Sequence, residues 1–251
     1  MLVKLKRART HVEDRHLALC LATSAGLLNA MALSAFGLFP SHMTGNASQL
    51  SSDLNSMDSG HCLLFLSLLS AFVIGAVAAR ITIIMGIRNG LRTIFSCILV
   101  TEGVALILTS CYETLFYSPD NNNEVVMLLA FLMGVHNSTS TQLSNGRVRS
   151  THITGTLTDA GIAIGSVVAA LLRNDPSKNV IALRQQLNTH IITILSFLCG
   201  GILGLFFFRL FGFTSLSGPG IMLIVAAVSS IAYTVYKVKS RLHCSSYQTI
   251  K

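Results

Sequence analysis

Long apolar runs alternate along this chain with short polar connections. Six runs come close to or exceed the roughly 20 mostly apolar residues that a helix needs to cross hydrocarbon. They are Leu17–Phe39, Cys62–Gly86, Thr93–Tyr117, Val125–Leu143, Thr189–Phe211 and Gly220–Val238. Lipid offers the backbone no hydrogen-bond partner, so runs of this kind are read as helices. Two further segments break the pattern. Ala47–Ser59 holds Asp53 and Asp58 and is too short and polar to span. Thr156–Leu172 is apolar enough but carries Asp159 near its start. The pattern predicts an all-α membrane protein with six transmembrane helices and two short non-spanning or broken helices. Its parts are a basic tail over residues 1–16, one transmembrane domain over 17–238 and a second tail over 239–251.

The placement of Lys and Arg orients these helices, because basic residues collect in cytoplasmic loops. Lys4, Lys6, Arg7, Arg9 and Arg15 precede the first run, Arg80, Arg88 and Arg92 lie around the end of the second, and Arg147 and Arg149 follow the fourth. Arg173, Lys178 and Arg184 precede the fifth, and Lys237, Lys239, Arg241 and Lys251 close the chain. With six spans, and Thr156–Leu172 dipping in and returning, every cluster and both tails fall on the cytoplasmic side. If Thr156–Leu172 spans instead, the third loop and the carboxy tail move outside.

Composition supports the membrane reading. Charged residues make up 11% of the chain and mean hydropathy is +0.63, whereas a soluble domain carries about 25% charged residues. A net charge of +8 would fit nucleic acid, but the positive charges sit in tails and connections, so no nucleic-acid partner is expected and the lipid bilayer is. The apolar run from Leu17 is longer than a signal-peptide core of roughly 7–15 residues, so it reads as an uncleaved first helix. Six cysteines lie mostly inside apolar runs with no CxxC spacing, which argues against a disulfide framework or a zinc site. No metal and no cofactor is expected.

Short motifs recur in order. Gly26-Leu-Leu-Asn29 matches Gly134-Val-His-Asn137, 108 residues on. Ser41-His42-Met-Thr44-Gly45-Asn46 matches Thr151-His152-Ile-Thr154-Gly155-Thr156, 110 residues on. Phe72-Val-Ile-Gly75 matches Phe197-Leu-Cys-Gly200, 125 residues on. These matches predict two repeats, about 17–117 and 124–238. Three spans per unit would make the second enter from the opposite side, an inverted repeat of the kind found in secondary transporters.

The chemistry-bearing positions follow from the repeat. Thr44, Gly45 and Asn46, with Thr154, Gly155 and Thr156, stand where a helix starts, and a helix N-terminus offers free N–H groups to a substrate. Backbone capping is the structural alternative. His42 and His152 occupy matched positions, can cap or bond between helices, and titrate near neutral pH. Asn29, Asn137 and His136 are polar groups within spans, suited to interhelical hydrogen bonds or to a substrate path. Glu102 lies mid-helix, where an intramembrane carboxylate marks a functional site by default, and suits proton or ion coupling. Asp159 is a second coupling candidate, with favourable placement against a helix dipole as its structural alternative. Gly75, Gly200, Gly201 and Gly204 read as close-packing positions. No GxSxG, HExxH or Gly-rich phosphate loop occurs, so an enzyme is not expected.

These same residues, with Arg149-Ser-Thr-His-Ile-Thr-Gly-Thr-Leu-Thr158, resemble the YoaK-like family of bacterial multi-pass membrane proteins, a domain of unknown function. The resemblance runs from about Ala18 to Val238. It implies an inner-membrane location and no particular substrate. That family often has Asp where Asn29 stands and Gln where His136 stands, so a charge at the first position is not carried over. The resulting expectation is a secondary transporter or permease for an unidentified small solute, coupled to protons or another ion through Glu102. The alternative is a non-transporting structural or regulatory protein. A homo-oligomer is compatible with either.

Overall fold

A computed structural model describes residues 11–57, 59–91, 93–119, 122–172 and 179–248. The basic residues before His11, together with Asp58, Arg92, Asp120, Arg173, Lys178 and Lys251, lie outside the described residues. Among those described the structure is helical, with no strand: α1 (His11–Phe36), α2 (Met43–Ser56), α3 (Ser59–Arg88), α4 (Ile94–Phe116), α5 (Asn122–Leu143), α6 (Ile153–Leu172), α7 (Asn179–Phe211) and α8 (Ser217–Gln248). A short 3-10 turn, Gly212–Leu216, joins α7 to α8.

Among the described residues five stretches are long and apolar enough to cross a membrane: Arg15–Phe36, Ser59–Arg88, Ile94–Phe116, Ile153–Leu172 and Val180–Ala232, the last holding nearly all of α7, the turn and the first half of α8. These fit a multi-pass membrane protein. Two elements differ from expectation. Thr156–Leu172 was expected not to span, yet α6 is a 20-residue helix that qualifies, because the apolar run after Asp159 outweighs its polar first turn. α5 was expected to span and is not among the five, because its last turns are His136-Asn-Ser-Thr-Ser-Thr-Gln142. Those polar groups are tolerated because α5 lies inside the bundle, with His136, Thr139 and Ser140 fully buried. As expected for a segment too short to cross, α2 has only 14 residues.

Helices α1, α4, α5 and α8 surround the main core, built from Leu17, Leu21, Leu28, Met31, Phe95, Leu99, Leu106, Leu129, Met133 and Leu223. Helices α3, α6 and α7 turn rows of Leu, Ile, Val and Phe outward, a surface that suits lipid tails. Among the described residues each of α2 and α6 packs on one neighbouring helix, α2 on α3 and α6 on α7.

Three helix pairs carry the most intimate packing: α1 with α7, α3 with α5, and α4 with α8. Glycine makes each pair close. A Cβ on Gly26 would run into the Phe197 carbonyl, and one on Gly200 into the Thr23 carbonyl. A Cβ on Gly75 would meet the Phe131 carbonyl, and one on Gly134 the Phe72 carbonyl. Gly103 and Gly220 face each other, and a Cβ on either would stand 2.6 Å from the other's carbonyl oxygen. Between apolar helices in lipid, backbone approach of this kind supplies the dispersion contact that no hydrophobic effect provides.

Candidate functional site

Glu102 sits one-third of the way along α4 and His136 two-thirds of the way along α5. The antiparallel run of the two helices sets them level. His136 Nδ1 lies 2.7 Å from Glu102 Oε1, and both side chains are fully buried. On its other side, His136 Nε2 lies 3.1 Å from the Leu21 carbonyl oxygen of α1. Helical carbonyls of α1 ordinarily accept from within the helix, and their second lone pair is free for such a bond. A carbonyl can only accept, so Nε2 carries hydrogen. Among the described residues Glu102 Oε2 has no hydrogen-bond partner, and neither has the buried Thr139 Oγ1 one turn along α5 from His136. Burying two ionisable groups is tolerated here because they face each other and share a proton or a charge.

The matched asparagines do matched work. Asn29 Nδ2 donates to the Ala25 carbonyl at 2.8 Å, while its Oδ1 accepts from Ser41 twice, from the backbone N–H at 3.2 Å and from the hydroxyl at 2.8 Å. Asn137 Oδ1 accepts from the Thr151 N–H and the Ser150 hydroxyl, both at 3.3 Å, and its Nδ2 donates to the Thr151 hydroxyl. Each asparagine therefore holds the residue just before the His of its turn. His136, although adjacent to Asn137, is turned about 100° away around the helix and meets α4 and α1 instead.

The turns themselves follow one pattern. The Met43 N–H bonds to the Ser41 carbonyl and the Ile153 N–H to the Thr151 carbonyl, each at 3.0 Å. The Asn46 N–H bonds to the His42 carbonyl and the Thr156 N–H to the His152 carbonyl, also each at 3.0 Å. The His42 ring occupies the space where a Cβ on Gly45 would stand, and the His152 ring does the same over Gly155. This gives the Gly of the His-x-Thr-Gly motif its reason. Thr44 and Thr154 are exposed, and Asn46 and Thr156 are buried. Asn46 Nδ2 donates to the Phe39 carbonyl at 3.5 Å, and the Thr156 hydroxyl to the His152 carbonyl at 2.9 Å. Beside the first turn an open groove of about 530 Å³ is lined by Met43, Thr44, Ala47, Ser48 and Ser51.

Glu102 and His136 are thus brought together, as are each asparagine and its turn. The two turns and the Glu102–His136 pair are not brought together, since α2 packs on α3, α6 on α7, and neither touches α4. Asp159 is exposed on α6, close enough to the buried His190 of α7 to act on it electrostatically. Three buried polar residues are not among the sequence candidates for the site. Asp53 Oδ1 accepts from Gln49 at 2.8 Å while Oδ2 has no partner. His190 Nε2 is buried without a partner, and Glu113 is buried on α4. Glu113 had a signal, since it lies eleven residues from Glu102, about three turns along the same helix face. Among the described residues no three His, Cys, Asp or Glu side chains come together in a way that would hold a metal ion.

No curated protein and no solved structure matches the chain. A family model does match, over residues 17–229, which takes in all eight helices at least in part. With that span covering most of its length, the chain belongs to the family described as protein of unknown function (DUF1275).

Proposed function

We propose that this protein is a secondary transporter for a small solute, coupled to an ion through Glu102 and His136. The observation that carries the reading is the fully buried, hydrogen-bonded carboxylate–imidazole pair at 2.7 Å inside a bundle of membrane-type helices. Ionisable side chains at such depth are costly, and they mark ion or substrate pathways by default. The matched helix contacts support two inverted three-span repeats with six spans in all, in which α5 crosses packed on α3 and α6, although long and apolar enough to cross, lies against α7 without crossing. α1 on α7 answers α5 on α3, α4 meets α8, and the asparagine-to-turn and histidine-over-glycine arrangements recur in both halves. In this reading the exposed Thr44 and Thr154, with their glycines, meet solute at the two helix N-termini. The protein is YoaK-like, sits in a bacterial inner membrane with both tails cytoplasmic, and has a bilayer and a small solute as partners.

The test is solute flux in proteoliposomes carrying an internal pH dye, challenged with a panel of labelled sugars, amino acids, carboxylates and inorganic anions. Solute-dependent dye change that is lost in Glu102→Gln and reduced in Thr44→Ala with Thr154→Ala is expected. Flux indifferent to all three substitutions overturns the assignment. A topology reporter fused after Lys251 tests the six spans separately; activity on the non-cytoplasmic side overturns them.

One observation favours a second reading. The two turns pack on different helices, away from the Glu102–His136 pair, and their asparagines spend their hydrogen bonds internally. That arrangement suits a non-transporting structural or regulatory membrane protein, in which a stable partner copurifies and no solute moves.

A further inference from the structure

We propose that the coupling ion is a proton, held by Glu102 and His136 as one unit, and that its loss opens a junction between the three glycine-locked helix pairs. The proposal rests on the transport reading above for its purpose; its chemistry stands on the pair alone.

Location comes first. α1 belongs to the α1–α7 pair, α5 to α3–α5 and α4 to α4–α8, and each pair is closed backbone against backbone at its glycines. His136, on α5, reaches Glu102 on α4 with one ring nitrogen and Leu21 on α1 with the other. A single imidazole therefore ties all three pairs together in the core.

Proton counting then decides what the tie can do. With hydrogen on Nε2 and one proton between Nδ1 and Oε1, both bonds are made and the unit is neutral. The proton lies either on Glu102 as O–H···N or on His136 as N–H···O⁻. Moving that proton to water leaves a carboxylate and an imidazole with one N–H facing two acceptors, with a net charge of −1. One bond must then open, to Glu102 or to Leu21, because lone pairs would otherwise oppose each other where water does not screen them. Adding a proton instead gives an imidazolium beside a neutral acid, with both bonds kept and a net charge of +1. The junction is closed with the proton and broken without it.

The same contacts disfavour a metal cation. Alkali and alkaline-earth ions take several oxygen ligands, whereas Oε1 and the Leu21 carbonyl are both engaged by one imidazole. The unpartnered Glu102 Oε2 and Thr139 Oγ1 are where water would deliver or receive the proton. Few other ionisable groups stand on the elements packed around the pair. α1 carries Arg15, His16 and Cys20 on the approach to Leu21, α4 carries Cys97, Cys111, Tyr112 and Glu113, α5 carries Glu124 near its start, and α3 carries His61, Cys62, Arg80 and Arg88. α8 carries none from Ser217 to Ala232.

Infrared difference spectroscopy of the full chain in lipid nanodiscs, between acid and alkaline buffer and without solute, tests the proton site. The wild-type spectrum minus that of Glu102→Gln is expected to hold a signal of about one proton per unit, carboxylic acid or imidazolium beside carboxylate, that is shifted in His136→Asn and unaffected by sodium. A wild-type spectrum identical to that of Glu102→Gln, or a difference displaced by sodium, overturns the proton site. Spin labels at the exposed Leu19, Leu108 and Leu128 of α1, α4 and α5 read the junction. A pH-dependent change in an α5 distance, abolished by Glu102→Gln, is expected; distances that ignore pH overturn the latch. Because no solute is present, a titrating pair in a protein that moves no solute would remove the transport reading and leave the proton site standing.

Discussion

Asn29 and Ser41 are joined twice, the asparagine Oδ1 accepting from both the backbone N–H and the hydroxyl of the serine. One side chain from the last third of α1 thus fixes the chain where it turns into α2. At Asn137 the same oxygen accepts from Thr151 and Ser150 ahead of α6.

That arrangement predicts an asymmetry between substitutions. Asn29→Leu strands the Ser41 N–H and hydroxyl, and losing buried partners costs about 1–3 kcal/mol each way such a group is left unpaired. Asn29→Asp keeps the accepting oxygens and should lose much less. Thermal unfolding in detergent checks this; equal losses for Leu and Asp would show that the oxygen does not hold the turn.

At the glycine contacts, Gly103→Leu and Gly75→Leu force backbone apart and should destabilise by at least the ~1–3 kcal/mol usual for overpacking. Gly161→Ala on α6 meets nothing within 4 Å and should stay within about 0.5 kcal/mol of wild type. The ranking is read from melting temperatures of the three variants in one detergent.

Removing one member of the buried pair leaves the other stranded. His136→Leu should cost about 3–5 kcal/mol by exposing Glu102 to an apolar site without a partner. The double variant Glu102→Leu with His136→Leu should be the more stable of the two, because no polar group then remains to desolvate. A double variant as unstable as the sum of the singles would mean that the two residues do not act as a pair.

The histidine rings over Gly45 and Gly155 make a different prediction. Gly45→Ala evicts the His42 ring, but the ring is exposed and can swing into open space. Stability should therefore change by less than about 1 kcal/mol. Any loss of solute flux should equal that of His42→Ala, and the two substitutions together should lose no more than either alone. Additive losses would separate the ring from the glycine.

Much of this arrangement is legible along the chain. The helices follow from the lengths of the apolar runs, and the turns from capping residues and a glycine at fixed spacing. The lengths of α6 and α7 were less legible. Asp159 weighs against a span in Thr156–Leu172, yet α6 runs from Ile153 to Leu172, since between Asp159 and Leu172 only Ser166 is polar. α7 begins at Asn179, ten residues before the apolar run at Thr189, since helical hydrogen bonding does not stop where hydropathy does. His136 and Asn137 are neighbours in sequence. In the helix the two point to different partners.

What the sequence by itself determined is the helical, membrane-type character of the protein and the local design of its two turns. Both depend on interactions that reach no further than a few residues: apolar length against lipid, and hydrogen bonds between a turn and its own helix start. Only the tertiary structure decided that His136 meets Glu102 and Leu21, that Asn29 reaches back to Ser41, and that the turns lie apart from the buried pair. Those outcomes depend on how helices distant in sequence pair and slide in register. Backbone contacts at Gly75, Gly103, Gly134, Gly200 and Gly220 set that register, and no local pattern encodes which glycine will face which.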